Sequence, residues 1–427
     1  MKRILVIFSL ILAFGFIQTT QGQFFDELKK KAEEKVKKEG EKRAKEKVDK
    51  GVEKAYDEAE KQLTGGKEQK KEGEAKVNNN QQNVNNPQSN ETASNQKTII
   101  NSKYDFIPGE KIIFSDDFSA GNVGDFPIQW NTTGSGELVT TNIAEGKWFY
   151  ITNGRGITTL DEPITLPENY TIEFDVIKQK DIKNNNGADF SFSILSTSKP
   201  KDLNYGLARP GDAGIRFTFG YSNQYFTYDR MNSPNLSGIE GQPRLLPDKK
   251  YMIAIQVQKT RLKLYIGQEK IFDLPRAVNT NYKFNMIRFD GGTPMIGNLR
   301  IASGLPDMRS KLLTEGKLIS YGIYFDVNKD VVKPESYPSI KEIAAILKDN
   351  PDVKIKIVGH TDSDGDDKAN LDLSKRRAAS VKNVLLNEFS IDAARIETDG
   401  KGEGEPVAPN DNVTNKSLNR RVEFLKI

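Results

Sequence analysis

The chain has no cysteine and a single histidine, His360, among its 427 residues. The first absence excludes disulfides, thiolate metal sites, a cysteine nucleophile and a thiol-linked lipid anchor. The second excludes a multi-histidine metal centre. Long apolar runs are also scarce. The run from Ile4 to Ile17 falls short of the roughly 20 residues that a membrane-spanning helix needs. Charge of one sign does not dominate, since 63 basic side chains face 59 acidic ones for a net +4, and overall charge therefore gives no case for nucleic acid. What remains is length. At about 100–200 residues per domain, the chain predicts two or three domains.

Lys2 and Arg3, the apolar run and Thr20-Gln21-Gly22 predict a secretory signal over residues 1–22 and hence an exported protein. Residues 23–65 are mostly Lys, Glu, Ala and Val. Leu28, Ala32, Val36, Ala44, Val48 and Val52 draw a thin apolar stripe, so a charged helix is expected. Two readings of it stay open: a solvated spacer, or a helix that lies on a membrane or pairs with a partner, with Phe24 and Phe25 inserted. Residues 66–102, rich in Asn and Gln, predict a linker whose root-mean-square span as a flexible coil is about 30–35 Å.

From 103 to 305 short alternating runs separated by Gly, Asn, Asp and Pro predict an all-β region. The strands expected include Thr171–Ile177, Asp189–Ile194, Gly214–Gly220 and the hairpin of Ile253–Val257 with Leu262–Ile266. A single jelly-roll sandwich fits this pattern. An outer-membrane barrel fits less well, because strands such as Val176–Lys180 run quickly into charged residues. Phe114-Ser-Asp-Asp-Phe118, Gly124–Pro127, Trp130 and Lys263–Phe272 resemble concanavalin-A-like, laminin-G-like sandwiches. Some members of that group are glycoside hydrolases whose active strand carries carboxylates on one face. Glu173 and Asp175 have the two-residue spacing, but Ile177 or Lys178 stands where a third carboxylate belongs, so the motif is incomplete. Trp130, Trp148, Tyr221, Tyr225, Phe226 and Tyr228 could stack on sugars or fill the core.

Residues 306–427 alternate strands and helices. Strands are expected at Lys317–Tyr324, Val353–Val358, around Ile396 and at Val422–Ile427, and helices at Tyr337–Lys348 and from an N-cap at Ser374 to Phe389. That second helix would put Lys375, Arg376 and Arg377 in its first turn, against the helix dipole, a conflict that a docked anion would relieve. Asp362 and Asp364 precede it in the same loop. Asp362 and Arg377 could thus be the two poles of a site for a zwitterion, or an internal salt bridge. Asp364, Asp366 and Asp367 make the loop acidic, but it lacks the spacing and distal Glu of an EF-hand. His360 has no patterned catalytic partner and is expected to be a loop histidine that contacts backbone.

The string Gly359-His-Thr-Asp362, Asn370, Leu373-Ser374, Arg377-Ala378, Gly402-Glu403, Pro406 and Asn419-Arg-Arg-Val422, preceded by Tyr324-Phe-Asp326 and Lys333-Pro334, resembles the OmpA-like peptidoglycan-binding domain. That group includes the peptidoglycan-associated lipoproteins and the periplasmic part of flagellar stator proteins. The resemblance implies an α/β fold of βαβαββ type that binds the diaminopimelate of the peptide stem. Asp362 would hold its ammonium and Arg377 its carboxylate, with Asn370, Leu373 and the backbone of Thr361, Ser363 and Asp364 lining the pocket. Arg420 and Arg421 match a basic pair before the last strand, while Leu418-Asn419 departs from the small residues usual there.

The expected protein is a multidomain, wall-bound, periplasmic one near the outer membrane. It is not an enzyme and needs no cofactor or metal. Peptidoglycan is its partner, and a glycan or an envelope protein is expected at the sandwich. The rival readings are a wall-anchored glycoside hydrolase and a structural tether from outer membrane to wall.

Overall fold

The computed structural model describes residues 104–180, 188–206, 209–229, 236–305 and 307–427. The signal, charged helix and linker expected over 1–102 lie outside the described residues.

Residues 104–303 form two antiparallel sheets, of eight and seven strands, that enclose one apolar core. Side-chain alternation builds that core. In the strand Asn169–Lys178, Tyr170, Ile172, Phe174 and Val176 point inward, and in Phe190–Ser196 so do Phe190, Phe192 and Ile194. The rings of Phe174, Phe192 and Phe289 meet across the layers at centroid distances of 4.9–5.3 Å. The expected hairpin is present, with Ile253 opposite Ile266. Among the described residues neither sheet closes on itself: the smaller has two end strands, and the larger has three, because the strand Lys111–Asp116 pairs only with Pro294–Ser303, so the region is a sandwich rather than a closed barrel.

The outer face of the larger sheet is covered as well. Tyr104 and Phe106 pack on Ala254 and Tyr265, and Trp148 packs with Ile177 and Met295. Between these clusters the C-terminal region docks, with the Tyr324 hydroxyl on Glu173 and Arg300 Nη1 on the Tyr321 carbonyl at 2.9 Å. The described residues from 104 to 427 cluster as one compact unit, so the change of sequence grammar near residue 306 is not a separation in space.

The C-terminal region has a four-stranded sheet in the order Lys317–Ser320, Val422–Lys426, Ile355–His360, Ile396–Gly402. The last two strands are parallel and the other pairs antiparallel. The helix Tyr337–Asp349 brings Ile340, Ile343 and Leu347, and the helix Asp367–Asn387 brings Ala378, Val381 and Leu385, into a core with Leu318, Ile355, Ile357 and Phe424.

Three expectations are corrected. The first strand stops at Ser320, because Tyr321 to Tyr324 cross to the sandwich. The second helix starts at Asp367, capped by the Asp366 side chain, which accepts from the amides of Lys368 and Ala369. Lys375, Arg376 and Arg377 therefore lie about two turns inside it, beyond the reach of the terminal dipole, and the expected conflict does not arise. Finally, His360 is no loop residue. It ends the strand Ile355–His360, buried, with Nε2 3.7 Å from Glu423 and no hydrogen bond of normal length to either ring nitrogen among the described residues.

Candidate functional site

Glycines set the position of the loop that leaves His360. A Cβ on Gly359 would come within 2.3 Å of the Ser374 carbonyl oxygen, and one on Gly400 within 2.4 Å of the Lys375 amide nitrogen. The long helix therefore lies directly on the strand ends. Ser374 Oγ fastens this contact, accepting from the Gly402 amide at 2.9 Å and donating to the Leu371 carbonyl at 2.8 Å. Asn370 ties the loop to the helix, donating through Nδ2 to Glu403 at 2.7 Å and to the carbonyls of Asp364 and Asp362 at 3.2 and 3.3 Å. Asn370 is thus a staple beneath the loop.

The loop presents opposite charges. Asp362 Oδ1 accepts from the Asp364 amide at 3.1 Å, while Oδ2 accepts from Arg420 Nη1 at 2.5 Å. Arg420 also reaches the sandwich, its Nη2 standing 3.0 Å from Asp117 Oδ2. Arg377 packs over the Phe325 ring at 4.8 Å and donates to the carbonyls of Lys329 and Asp326 at 2.9 and 3.2 Å. Burial pulls the Arg377 guanidinium down to about 10, against the pull of nearby Asp362, so it stays charged at neutral pH. Among the described residues it has no carboxylate partner. The internal Asp–Arg bridge left open above does exist, but between Asp362 and Arg420.

The other expected lining residues also fall near this loop. Leu373 and Thr361 are buried, with Thr361 Oγ1 lacking a hydrogen-bond partner among the described residues, and the Ser363 amide donates to Asn410 at 3.3 Å. Asp364 takes Lys416 at 2.6 Å, and the carboxylate holds that ammonium above its ordinary value. Asp364 and Asp366 are thus committed to internal partners. Among the described residues no group of three acidic or histidine side chains could hold a metal.

The two arginines before the last strand differ. Arg421 is buried and bound to Glu423 at 2.8 Å and to the Glu405 carbonyl at 3.0 Å, a structural role. Arg420 faces the site. Asn419 is fully buried and serves as a hub, accepting from the Val407 and Ala408 amides and donating to Ala408 and Asn410.

In the sandwich, Glu173 and Asp175 are 4% and 5% exposed. Glu173 accepts from Arg300 Nε at 3.0 Å and from Tyr324, and Asp175 from Asn298 at 2.9 Å with Lys250 at 3.6 Å. A glycosidase pair must flank an open cleft with room for a sugar, and these two lie under a docked domain. Trp130, Trp148 and Tyr228 are buried, Tyr225 and Phe226 half-buried against the core. Tyr221 is 52% exposed, with Arg244 stacked on its ring at 3.8 Å.

Asp117, Asn410 and Lys416 were not expected at the site. They come from distant segments, and no local spacing announces them.

Residues 324–420 match the OmpA family. Outer membrane porin F of Pseudomonas aeruginosa is 41% identical over 105 residues, 25% of this chain and 30% of that protein. Probable lipoprotein YiaD of Escherichia coli K12 is 37% identical over 102 residues, 24% of this chain and 46% of that protein. The chain therefore spans less than half the length of these curated relatives. A crystal structure of the peptidoglycan-associated lipoprotein from Burkholderia pseudomallei is 28% identical, with 25% of this chain and 88% of that chain covered and a TM-score of 0.23.

Proposed function

We propose that residues 307–427 bind peptidoglycan noncovalently through the diaminopimelate of its peptide stem and so anchor an exported envelope protein to the cell wall. The observation that carries this reading is Arg377. It is a half-buried guanidinium held in place by two carbonyls, with no carboxylate partner among the described residues, on the helix that borders the Asp362 loop. Asp362 takes the ammonium of the zwitterion and Arg377 its carboxylate, with Leu373, Asn370, Thr361, Ser363 and Asp364 shaping the pocket. The match of residues 324–420 to the OmpA family supports the same reading. Three or four charge-assisted bonds of about 1.5–3 kcal/mol each, less the entropy of immobilising the ligand, place single-site affinity in the micromolar to millimolar range.

The test is cosedimentation with purified diaminopimelate-containing sacculi. Asp362→Ala and Arg377→Ala should each release the folded protein from the pellet. Pelleting of both variants at the wild-type level would sink the assignment.

In this reading the protein works in the periplasm, close to the outer membrane. The sandwich, of concanavalin-A-like jelly-roll type, is a binding module for a glycan or an envelope protein. The stacked Tyr221–Arg244 pair offers an exposed aromatic surface for it. A hydrolase reading gains nothing from Glu173 and Asp175, whose oxygens are engaged by Arg300, Tyr324, Asn298 and Lys250.

A further inference from the structure

Arg420 stands between two carboxylates that belong to different parts of the fold. Asp362 lies in the loop after the strand Ile355–His360, and Asp117 follows the sandwich strand Lys111–Asp116. Arg420 and Asp117 are partly exposed, at 32% and 20%, while Asp362 is nearly buried at 10%. The register of the two segments is fixed beside this cluster. Thr414 Oγ1 accepts from the Ser115 amide at 3.2 Å and donates to the Ser115 carbonyl at 3.0 Å. Thr414 belongs to the helix Val413–Asn419, which also carries Lys416 to Asp364 and leads directly into Arg420. One sandwich strand thus holds the helix that delivers two cations to the acidic loop.

The charges of this cluster pose a difficulty that Asp117 resolves. A guanidinium 2.5 Å from Asp362 neutralises that carboxylate and repels an arriving ammonium. Lys416 likewise neutralises Asp364. Asp117 adds a second carboxylate to the same guanidinium, so that Asp117, Arg420 and Asp362 together carry one net negative charge.

We infer that Asp117 of the sandwich is a positioning residue of the wall-binding site, drawing Arg420 toward itself so that Asp362 can accept the ammonium of a zwitterionic diamino acid. This rests on the site assignment above and adds to it a group that lies outside the family-matched residues 324–420. Ammonium arrival then shifts Arg420 from a shared position to Asp117 alone. The guanidinium keeps a partner throughout, and the step avoids leaving a half-buried charge unpaired.

The test uses the full chain and diaminopimelate-containing sacculi at low salt. Asp117→Asn should weaken cosedimentation about two- to fivefold, the upper range of one partly exposed charge interaction, without moving the thermal midpoint. Asp117→Glu should restore it. In an Arg420→Gln background, Asp117→Asn should have no effect, because the residue acts only through that arginine. Wild-type binding by Asp117→Asn, tighter binding, failure of Asp117→Glu to rescue, or an undiminished effect without Arg420 would each overturn the inference. Asp362→Asn separates this from the underlying reading. If it loses binding while Asp117→Asn does not, only the role of Asp117 is wrong. If it binds as wild type, the site assignment fails and the inference falls with it.

Discussion

The hydroxyl of Tyr324 donates to the carboxylate of Glu173, joining the start of the family-matched segment to the middle of a sandwich strand. Arg300 occupies the other oxygen of the same carboxylate at 3.0 Å. Burial and the Glu173 charge both hold the Tyr324 hydroxyl well above the ordinary phenol range, so it remains a donor at any physiological pH. Glu173→Ala leaves Arg300 buried without its partner and should cost roughly 3–5 kcal/mol. Tyr324→Phe should cost about 1–3 kcal/mol. Urea unfolding measures both, and wild-type stability in Glu173→Ala would remove this pair from the account of how the regions hold together.

Arg377→Lys is expected to behave like Arg377→Ala in sacculus binding, losing about tenfold or more although charge is kept. The fork of Arg377 already spends Nε and one Nη on the carbonyls of Lys329 and Asp326, and a lysine cannot hold that frame while also meeting a carboxylate. Retention of binding by the lysine variant would mean that charge alone suffices.

Gly359→Ala drives a methyl against the Ser374 carbonyl, a backbone atom that cannot swing aside. The long helix must lift from the strand ends, at about 1–3 kcal/mol or more. Calorimetry should show a lowered midpoint, and binding should fall with it, because Asn370 and Arg377 ride on that helix. An unchanged midpoint would contradict the close packing inferred here.

Burial raises the Asp116 carboxyl to about 6, against hydrogen bonds from Trp130 Nε1 and the Phe118 amide that favour the charged form. A folded value above the unfolded one of about 4 means that the native state holds the proton more tightly. Its contribution is complete below about pH 4 and is lost as pH rises through about 6, an effect on the order of 3 kcal/mol. The stability difference between wild type and Asp116→Asn, from denaturant curves at several pH values, should therefore shrink or reverse in that window. A flat difference would place Asp116 in a more solvated setting.

Much of this fold is legible in the chain. The Phe-Ser alternation of Phe190–Ser196 and the apolar face of Tyr337–Asp349 announce their elements directly. The start of the long helix is harder to read, because its first two turns bury little but Asn370 and the apolar period becomes visible only at Leu373. The cap at Asp366 stands among acids whose run reads as a loop. Glu173 and Asp175 alternate with apolar residues as a solvent face would, and only the region docked over them explains why both are buried. Both motif arginines were visible, but which one Asp362 meets depends on how the helix Val413–Asn419 is held by Ser115, a tertiary fact that no spacing encodes.

The seam around Tyr321, Tyr324, Glu173 and Arg300 bears on how such a chain can be inherited. A segment that travels between proteins as a cassette should be closed on itself, able to be cut out without leaving raw surface on either side. Here a cut at residue 306 would strip Glu173 and Arg300 of their cover on one side and bare Tyr321 and Tyr324 on the other. Recombination across that point is therefore disfavoured, and the sandwich and the segment that follows it are expected to descend as a pair.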